Sequence, residues 1–142
     1  MVKNYVLDTS AVLAFIHNEQ GSDIVQKIFD DARKLKSHIY ISFMTFTEVY
    51  YMIWKYKGED AAKDVMALMN ALPWEIVHSN DQLSLSAGRI KANHQLSVAD
   101  AFIAATAMEK KAILVHKDLE LEPMVQYVQV IHLPYKLIFT KK

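Results

Sequence analysis

The feature that most constrains the fold is the regular alternation of short apolar runs with longer segments of helical periodicity. The runs predict strands at residues 5–7, 39–43, 74–77, 112–115 and 128–133. Helices are predicted between them, at residues 11–16, 21–35, 45–57, 59–72, 80–93 and 97–109, with a turn or short helix at 119–123. This alternation indicates βαβ units, and therefore an α/β fold with a mostly parallel sheet.

Composition narrows the class of protein further. The chain has 142 residues and 52% of them are hydrophobic, which is enough to fill the core of one domain. We expect this domain at residues 1–135 and a C-terminal tail at 136–142. Cysteine is absent, so disulfides, thiol catalysis and cysteine-based zinc sites are excluded. We expect a cytoplasmic protein, because neither a signal-peptide pattern nor a membrane-spanning run is present.

One stretch near the C-terminal third, residues 97–107, combines small and apolar residues with a single acid. Ser97 is predicted to be the N-cap of a helix that carries Asp100 in its first turn. The positive end of the helix dipole favours a negative charge there. A carboxylate among alanine, phenylalanine and isoleucine is costly unless it is bound. Either backbone N–H groups satisfy Asp100, or it holds a cation.

Three further acids lie near the ends of predicted strands. Asp8 directly follows the first strand, Glu48 lies in the helix after the second, and Asp118 follows the fourth. Parallel strands share one carboxyl-terminal edge, so all of these acids can meet there. Glu48 has a second interpretation of about equal weight, because Thr45 and Glu48 match the spacing of a helix capping box.

Four carboxylates in one place repel one another unless a cation joins them. Mg²⁺ and Mn²⁺ prefer carboxylate oxygens, and such a site is suited to phosphodiester hydrolysis. The six histidines show no metal-ligand spacing that would compete. The net charge of +0 predicts no strong non-specific attraction to nucleic acid.

Four segments, in this order and spacing, resemble the PIN domain, and most of all the VapC-type ribonuclease toxins of toxin–antitoxin pairs. The resemblance spans nearly the whole chain. The segments are Val6-Leu7-Asp8-Thr9-Ser10-Ala11, Thr47-Glu48-Val49, Ser97 to Ala107 around Asp100, and Leu114-Val115-His116-Lys117-Asp118.

This resemblance implies a three-layer α/β/α sandwich and a metal-dependent ribonuclease. Asp8, Asp100 and Asp118 would hold Mg²⁺ or Mn²⁺, and Glu48 would complete the catalytic acidic set. The resemblance also implies a homodimer and an antitoxin protein that masks the site. The Met- and aromatic-rich helices around residues 50–54 and 65–69 are the candidate dimer surface.

Two residues next to Asp8 are predicted to support it. By the same resemblance Ser10 would orient the Asp8 carboxylate or a metal-bound water, and Thr9 with Ser10 is predicted to cap the first helix. The sequence departs from the family at His116, where a threonine or serine is common. His116 could replace that hydroxyl, contact phosphate or point away from the site, and Glu120 and Glu122 are alternatives for the fourth acid.

Contact with RNA is expected from basic residues, and single-stranded RNA is the expected target class. The candidates are Arg89, Lys91, Lys117 and His116, with Lys55 and Lys57 in addition. Two other functions stay open: a PIN-like module that binds RNA or protein without catalysis, and a metal-dependent phosphohydrolase acting on small phosphate esters. The sequence has no glycine-rich phosphate loop, which disfavours the second.

Overall fold

The strands and helices alternate as predicted in a computed structural model, which describes residues 2–134. The predicted tail at 136–142 lies outside the described residues. The strands are β1 (Lys3–Leu7), β2 (Ser37–Ser42), β3 (Glu75–Val77), β4 (Ile113–His116) and β5 (Val130–His132). The helices are α1 (Thr9–Ile16), α2 (Ser22–Arg33), α3 (Phe43–Lys57), α4 (Glu59–Ala71), α5 (Asp81–Asn93) and α6 (Val98–Glu109), and a 3₁₀ helix spans Leu119–Gln126.

The five strands form one sheet in the order β3-β2-β1-β4-β5, and every neighbouring pair is parallel. The sheet is therefore fully parallel rather than mostly parallel, and the expected α/β/α fold is confirmed. The order reverses between β1 and β4, which is the place where open α/β sheets form a crevice beyond the carboxyl ends of their strands. Residues that follow β1 and β4 consequently lie side by side.

Two apolar cores cover the two faces of the sheet. Successive strand residues point to opposite faces, and accordingly Val6 and Leu114 belong to one core while Leu7 and Val115 belong to the other. Residues of α5, α6 and the 3₁₀ helix fill the first core, and residues of α1 to α4 fill the second. Within residues 2–134, none of the helices has the length and apolarity needed to cross a bilayer.

Two predicted helix starts are wrong. Helix α1 begins at Thr9, and its N-cap is Asp8, whose carboxylate accepts from the Ala11 N–H. The second is the capping box at Thr45. The N-cap of α3 is Ser42, so Thr45 lies inside the helix, fully buried. The hydroxyl of Ser42 stops the strand one residue earlier than the apolar pattern suggests, because it accepts from the Met44 N–H.

Smaller differences concern element ends. Leu35 was expected on the apolar face of α2, but the helix ends at Arg33 and Leu35 is 82% exposed in a left-handed conformation. The 3₁₀ helix continues past Pro123 to Gln126, and the last strand begins only at Val130, two residues later than predicted. These ends do not alter the sheet edge where the acids lie.

Candidate active site

The four predicted acids meet at the carboxyl edge of the sheet, around a pocket of about 200 Å³. We call this site the acidic pocket. Its lining residues come from the residue after β1, from α1 and α3, from the start of α6 and from the segment after β4: Asp8, Thr9, Ser10, Leu13, Glu48, Met52, Ser97, Asp100 and Asp118. Leu13 and Met52 form part of the wall and were not predicted, although Met52 lies one helical turn from Glu48 on α3.

Asp8 lies at the floor of the pocket, 2% exposed. Its Oδ1 accepts from the Ala11 N–H at 2.8 Å, so the carboxylate is fixed by the start of α1. The Ser10 hydroxyl lies 2.8 Å from both Oδ1 and Oδ2 of Asp8. The predicted supporting position of Ser10 beside Asp8 is therefore present in the geometry.

Ser10 also connects the two strands that flank the pocket. Its hydroxyl oxygen accepts from the Lys117 N–H at 2.8 Å, while its proton is directed at Asp8. The segment that follows β4 is thereby held against the residue that follows β1. The spacing of Asp8 and Asp118 depends on this tie as well as on the pairing of β1 with β4.

Glu48 is oriented by Thr9 rather than by a helix cap. The Thr9 hydroxyl donates to Glu48 Oε1 and also lies 3.3 Å from the buried Thr45 hydroxyl. Thr45 is thus part of the support for the acidic pocket and not an N-cap. The geometry therefore places Glu48 at the same pocket as Asp8 and does not show the capping box.

Asp100 lies in the first turn of α6 as predicted, with Ser97 as N-cap. The Ser97 hydroxyl accepts from the Asp100 N–H at 3.0 Å. Ser97 itself lines the acidic pocket, a position that the sequence did not predict for it. An edge-to-face contact between Phe102 and Phe43 places α6 against the start of α3, with ring centres 5.2 Å apart.

Asp118 is the N-cap of the 3₁₀ helix, and its Oδ1 accepts from the Glu120 N–H at 2.9 Å. Asp100, Asp118 and Glu120 each offer an oxygen, and these atoms lie within 4.8 Å of one another. Glu120 was considered in the sequence only as an alternative to Asp118, whereas the structure brings both to Asp100. The sequence signal that could have predicted this arrangement is the acid at every second position from Asp118 to Glu122.

Burial and the charges of neighbouring acids make Asp8 and Asp100 costly to ionise. Burial raises the pKa of Asp8 to about 7, against the lowering effect of the Ala11 and Ser10 hydrogen bonds. Burial, together with the charges of Asp118, Glu48 and Glu120, raises the pKa of Asp100 to about 6. Among residues 2–134, no lysine or arginine forms a salt bridge with these acids.

The basic residues predicted to contact RNA lie outside the lining of the pocket. Arg89 lines a separate surface pocket of about 360 Å³, together with residues of α5 and α6, and Lys91 lines another at the end of α5. The Lys117 ammonium donates to the Gln20 carbonyl at 2.9 Å and lies 3.5 Å from Glu19. Lys55 and Lys57 are exposed in the last turn of α3.

His116 is fully buried at the end of β4 and packs between β5 and the 3₁₀ helix. Its Nε2 lies 3.3 Å from Glu122 Oε2, and His132 Nδ1 lies 3.0 Å from the same oxygen. We call these three residues the histidine cluster. It was not predicted, since residues 116, 122 and 132 have no recognisable spacing; the parallel register of β4 and β5 brings the two histidines together.

The sequence matches the family model of the PIN domain over residues 5–124. Together with the parallel fold, this match shows that the chain belongs to the PIN domain family, as the resemblance predicted. Among curated proteins, none matches the sequence.

Several solved structures share the fold. VapBC2 from Rickettsia felis, bound to a DNA fragment from its promoter, is 17% identical with a TM-score of 0.73, over 94% of this chain and 100% of that chain. DNA-bound VapBC from Salmonella typhimurium is 19% identical, with a TM-score of 0.72, over 93% and 98% of the two chains. VapC20 from Mycobacterium tuberculosis, a toxin that cleaves the sarcin-ricin loop, is 16% identical, with a TM-score of 0.67, over 89% and 98%.

Proposed function

We propose that the protein is a ribonuclease that uses a divalent cation, Mg²⁺ or Mn²⁺, to hydrolyse RNA phosphodiester bonds at the acidic pocket. Membership of the PIN domain family supports the reaction class. The observation that carries the proposal is the meeting of Asp8, Glu48, Asp100 and Asp118 at one pocket, although they come from four separate parts of the chain.

The donor set fits a hard divalent cation. The oxygens available are carboxylates, which Mg²⁺ and Mn²⁺ prefer. Burial raises the pKa values of Asp8 and Asp100 well above the ordinary range of aspartate, so these acids are costly to ionise without a counter-charge, which a bound divalent cation would supply. We assign Asp8, Asp100 and Asp118 as the residues that hold the cation. Glu48 and Glu120 are close enough to act as further ligands.

The protein's own residues orient this set. The Ser10 hydroxyl contacts both oxygens of Asp8, and the Thr9 hydroxyl donates to Glu48. The backbone of Asp8 is held as the N-cap of α1, and that of Asp100 lies in the first turn of α6. When bound, the cation would polarise the phosphodiester and lower the pKa of an attacking water. Asp8 forms the buried floor and Glu120 the exposed rim, so an RNA backbone would approach from the Glu120 side.

A protein partner that masks the acidic pocket is the second part of the proposal. The solved structures of similar fold from Rickettsia felis and Salmonella typhimurium are toxin–antitoxin complexes, which supports an antitoxin partner for this chain. The homodimer stays a prediction. Tyr51, Trp54, Tyr56 and Leu68 of α3 and α4 are 41% to 74% exposed, and a monomeric mass at micromolar concentration would rule out a dimer through them.

Cleavage of a mixed-sequence single-stranded RNA tests the function. The wild type and Asp8→Asn would be compared with Mg²⁺, with Mn²⁺ and with EDTA. Asparagine caps a helix about as well as aspartate, so α1 is retained in the variant. We expect cleavage by the wild type with either cation and loss of cleavage in EDTA and in the variant. Equal cleavage by the variant would show a contaminating nuclease and contradict the assignment.

A further inference from the structure

The backbone between β4 and the 3₁₀ helix carries Asp118, and two side chains hold its consecutive amide groups. The Lys117 N–H donates to Ser10 Oγ at 2.8 Å, and the Asp118 N–H donates to His116 Nδ1 at 3.0 Å. A buried N–H without an acceptor is costly, so each contact selects this backbone path over others. The first contact ties the segment to Asp8 through Ser10; the second depends on His116.

The opposite side of the His116 ring is enclosed by the rest of the histidine cluster. His116 is fully buried, and its ring stacks on that of His132 with the ring centres 5.0 Å apart and the planes 15° from parallel. Glu122 Oε2 faces both rings, at 3.3 Å from His116 Nε2 and 3.0 Å from His132 Nδ1. His116 Nε2 and Glu122 Oε2 are buried without a well-aligned hydrogen bond among the described residues, so they face each other in a mainly electrostatic contact.

A metal ion does not fit this cluster, although two histidines and one glutamate are a common ligand set. An ion bound by two imidazoles lies in the plane of each ring, whereas these two rings are stacked and nearly parallel. An ion at His116 Nε2 would also force the ring proton onto Nδ1, where the Asp118 N–H now needs an acceptor. The cluster is therefore better described as a clamp on the orientation of the His116 ring.

We propose that His116 is a positioning residue for the acidic pocket, acting through the backbone of Asp118. Its Nδ1 accepts the Asp118 N–H, while the Glu122 carboxylate near Nε2 favours a proton on that nitrogen and the His132 ring packs against the His116 ring. The Asp118 carboxylate in turn accepts from the Glu120 N–H, so the two acids are placed beside Asp100 by one chain of contacts. The consequence for cation binding rests on the proposed function; the hydrogen bond and the tautomer do not.

Two substitutions of His116 test the contributions of its two ring nitrogens, Nδ1 and Nε2, separately. In His116→Asn, the amide oxygen lies near the position of Nδ1 and can accept the Asp118 N–H. In His116→Gln, the amide group reaches toward Glu122 instead and the Asp118 N–H loses its acceptor. We expect the asparagine variant to keep Mn²⁺ affinity within a few-fold of wild type, and the glutamine variant to lose roughly 10–100-fold, the range typical of groups that orient metal ligands.

Nitrogen-15 NMR of the metal-free wild type gives a readout that requires neither cleavage nor a variant. We expect the His116 ring to carry its proton on Nε2, and the Asp118 amide to exchange slowly with solvent. In His116→Gln, exchange of this amide should accelerate while the Lys117 amide, held by Ser10, changes little. Because this measurement is made without metal or RNA, failure of the proposed function would leave its result intact.

Three results would overturn the proposal. One is a proton on Nδ1 of His116 in the wild type. Another is an equal loss of Mn²⁺ affinity in the asparagine and glutamine variants, which would show that His116 contributes only packing. The third is binding of Zn²⁺ to His116 and His132 with both rings shifted in the spectrum, since the cluster would then be a metal site.

Discussion

The acidic pocket and the histidine cluster lie on two sides of the same short segment, residues 116–122, and they place carboxylates in different surroundings. The cluster surrounds one carboxylate, Glu122, with two imidazole rings. The pocket gathers four carboxylates, and within residues 2–134 the donors to Asp8, Glu48 and Asp118 are hydroxyl and backbone N–H groups. The cluster sets its one carboxylate against two imidazole rings, whereas no lysine or arginine among the described residues pairs with the acids of the pocket, and for the pocket we propose a cation.

Burial shifts the pKa values of the two sites in opposite directions, because the pocket holds acids and the cluster holds a base. Burial raises the pKa of Asp8 and of Asp100 because it penalises the charged form of an acid, and the like charges of neighbouring carboxylates raise it further. Burial lowers the pKa of His116, helped by the neighbouring His132, so that its ring is neutral at physiological pH. A neutral ring is the form able to accept the Asp118 N–H.

The largest effect is expected for Asp100→Asn. It removes one acid from the trio with Asp118 and Glu120, and RNA cleavage should fall by more than the roughly 10–100-fold lost when groups that merely orient a ligand are changed. The matched control is Asp81→Asn, since Asp81 also lies in the first turn of a helix but is distant from the pocket lining. Equal losses in the two variants would assign a general helix-dipole role to Asp100.

The next effect concerns the stability of the metal-free protein. Folding raises the pKa of Asp8 from 3.8 to about 7, so folded protein binds more protons than unfolded protein between these pH values. The free energy of unfolding in EDTA should therefore fall as pH rises through this window, by on the order of 4 kcal/mol from Asp8 alone. Urea denaturation of wild type and Asp8→Asn at pH 5 and pH 8 measures about 3 kcal/mol of this change, because the part of the window below pH 5 is not sampled.

In this experiment the asparagine variant should lose less stability between the two pH values than the wild type, and should be the more stable protein at pH 8 in EDTA. Addition of Mn²⁺ at pH 8 should reverse that order, because only the wild type gains stability from the bound ion. One result would contradict the electrostatic description of the pocket: in EDTA, the wild type gains as much stability between pH 5 and pH 8 as the variant does.

The smallest effect is expected from the basic residues of α5. Arg89 and Lys91 do not line the acidic pocket, so Arg89→Ala and Lys91→Ala should leave Mn²⁺ binding unchanged. If they contact RNA phosphates, each substitution weakens RNA binding similarly for all sequences and lowers the slope of log affinity against log salt by about 1. A filter-binding series at several salt concentrations decides this, and an unchanged slope would remove both residues from the interface.

Much of this architecture follows from local sequence. The alternation of apolar runs with helical segments predicted every strand of the sheet, and Ser97 was identified as an N-cap because its spacing to the helix is local. Asp8 and Asp118 could be placed at one edge because parallel strands share it. Glu48 could not be decided locally, since its hydrogen-bond partner Thr9 is 39 residues away.

The parts that sequence did not predict are those set by tertiary contacts. Asp8 replaces Thr9 and Ser10 as the cap of α1, because Ser10 is engaged with the Lys117 amide 107 residues away. The histidine cluster depends on the register of β4 and β5, and on a 3₁₀ helix whose length the pattern did not reveal. Leu13 and Met52 carry no chemical signal and enter the pocket only through helix orientation.

Titration with Mn²⁺, followed by electron paramagnetic resonance of the free ion, tests the central claim most directly: that the acidic pocket holds a divalent cation. Wild type, Asp8→Asn, Asp100→Asn and the control Asp81→Asn would be titrated at pH 7.5 under identical conditions. We expect the wild type and Asp81→Asn to bind Mn²⁺ equally, and the two pocket variants to bind it at least about tenfold more weakly. Equal binding by all four proteins would place the ion elsewhere and contradict the account.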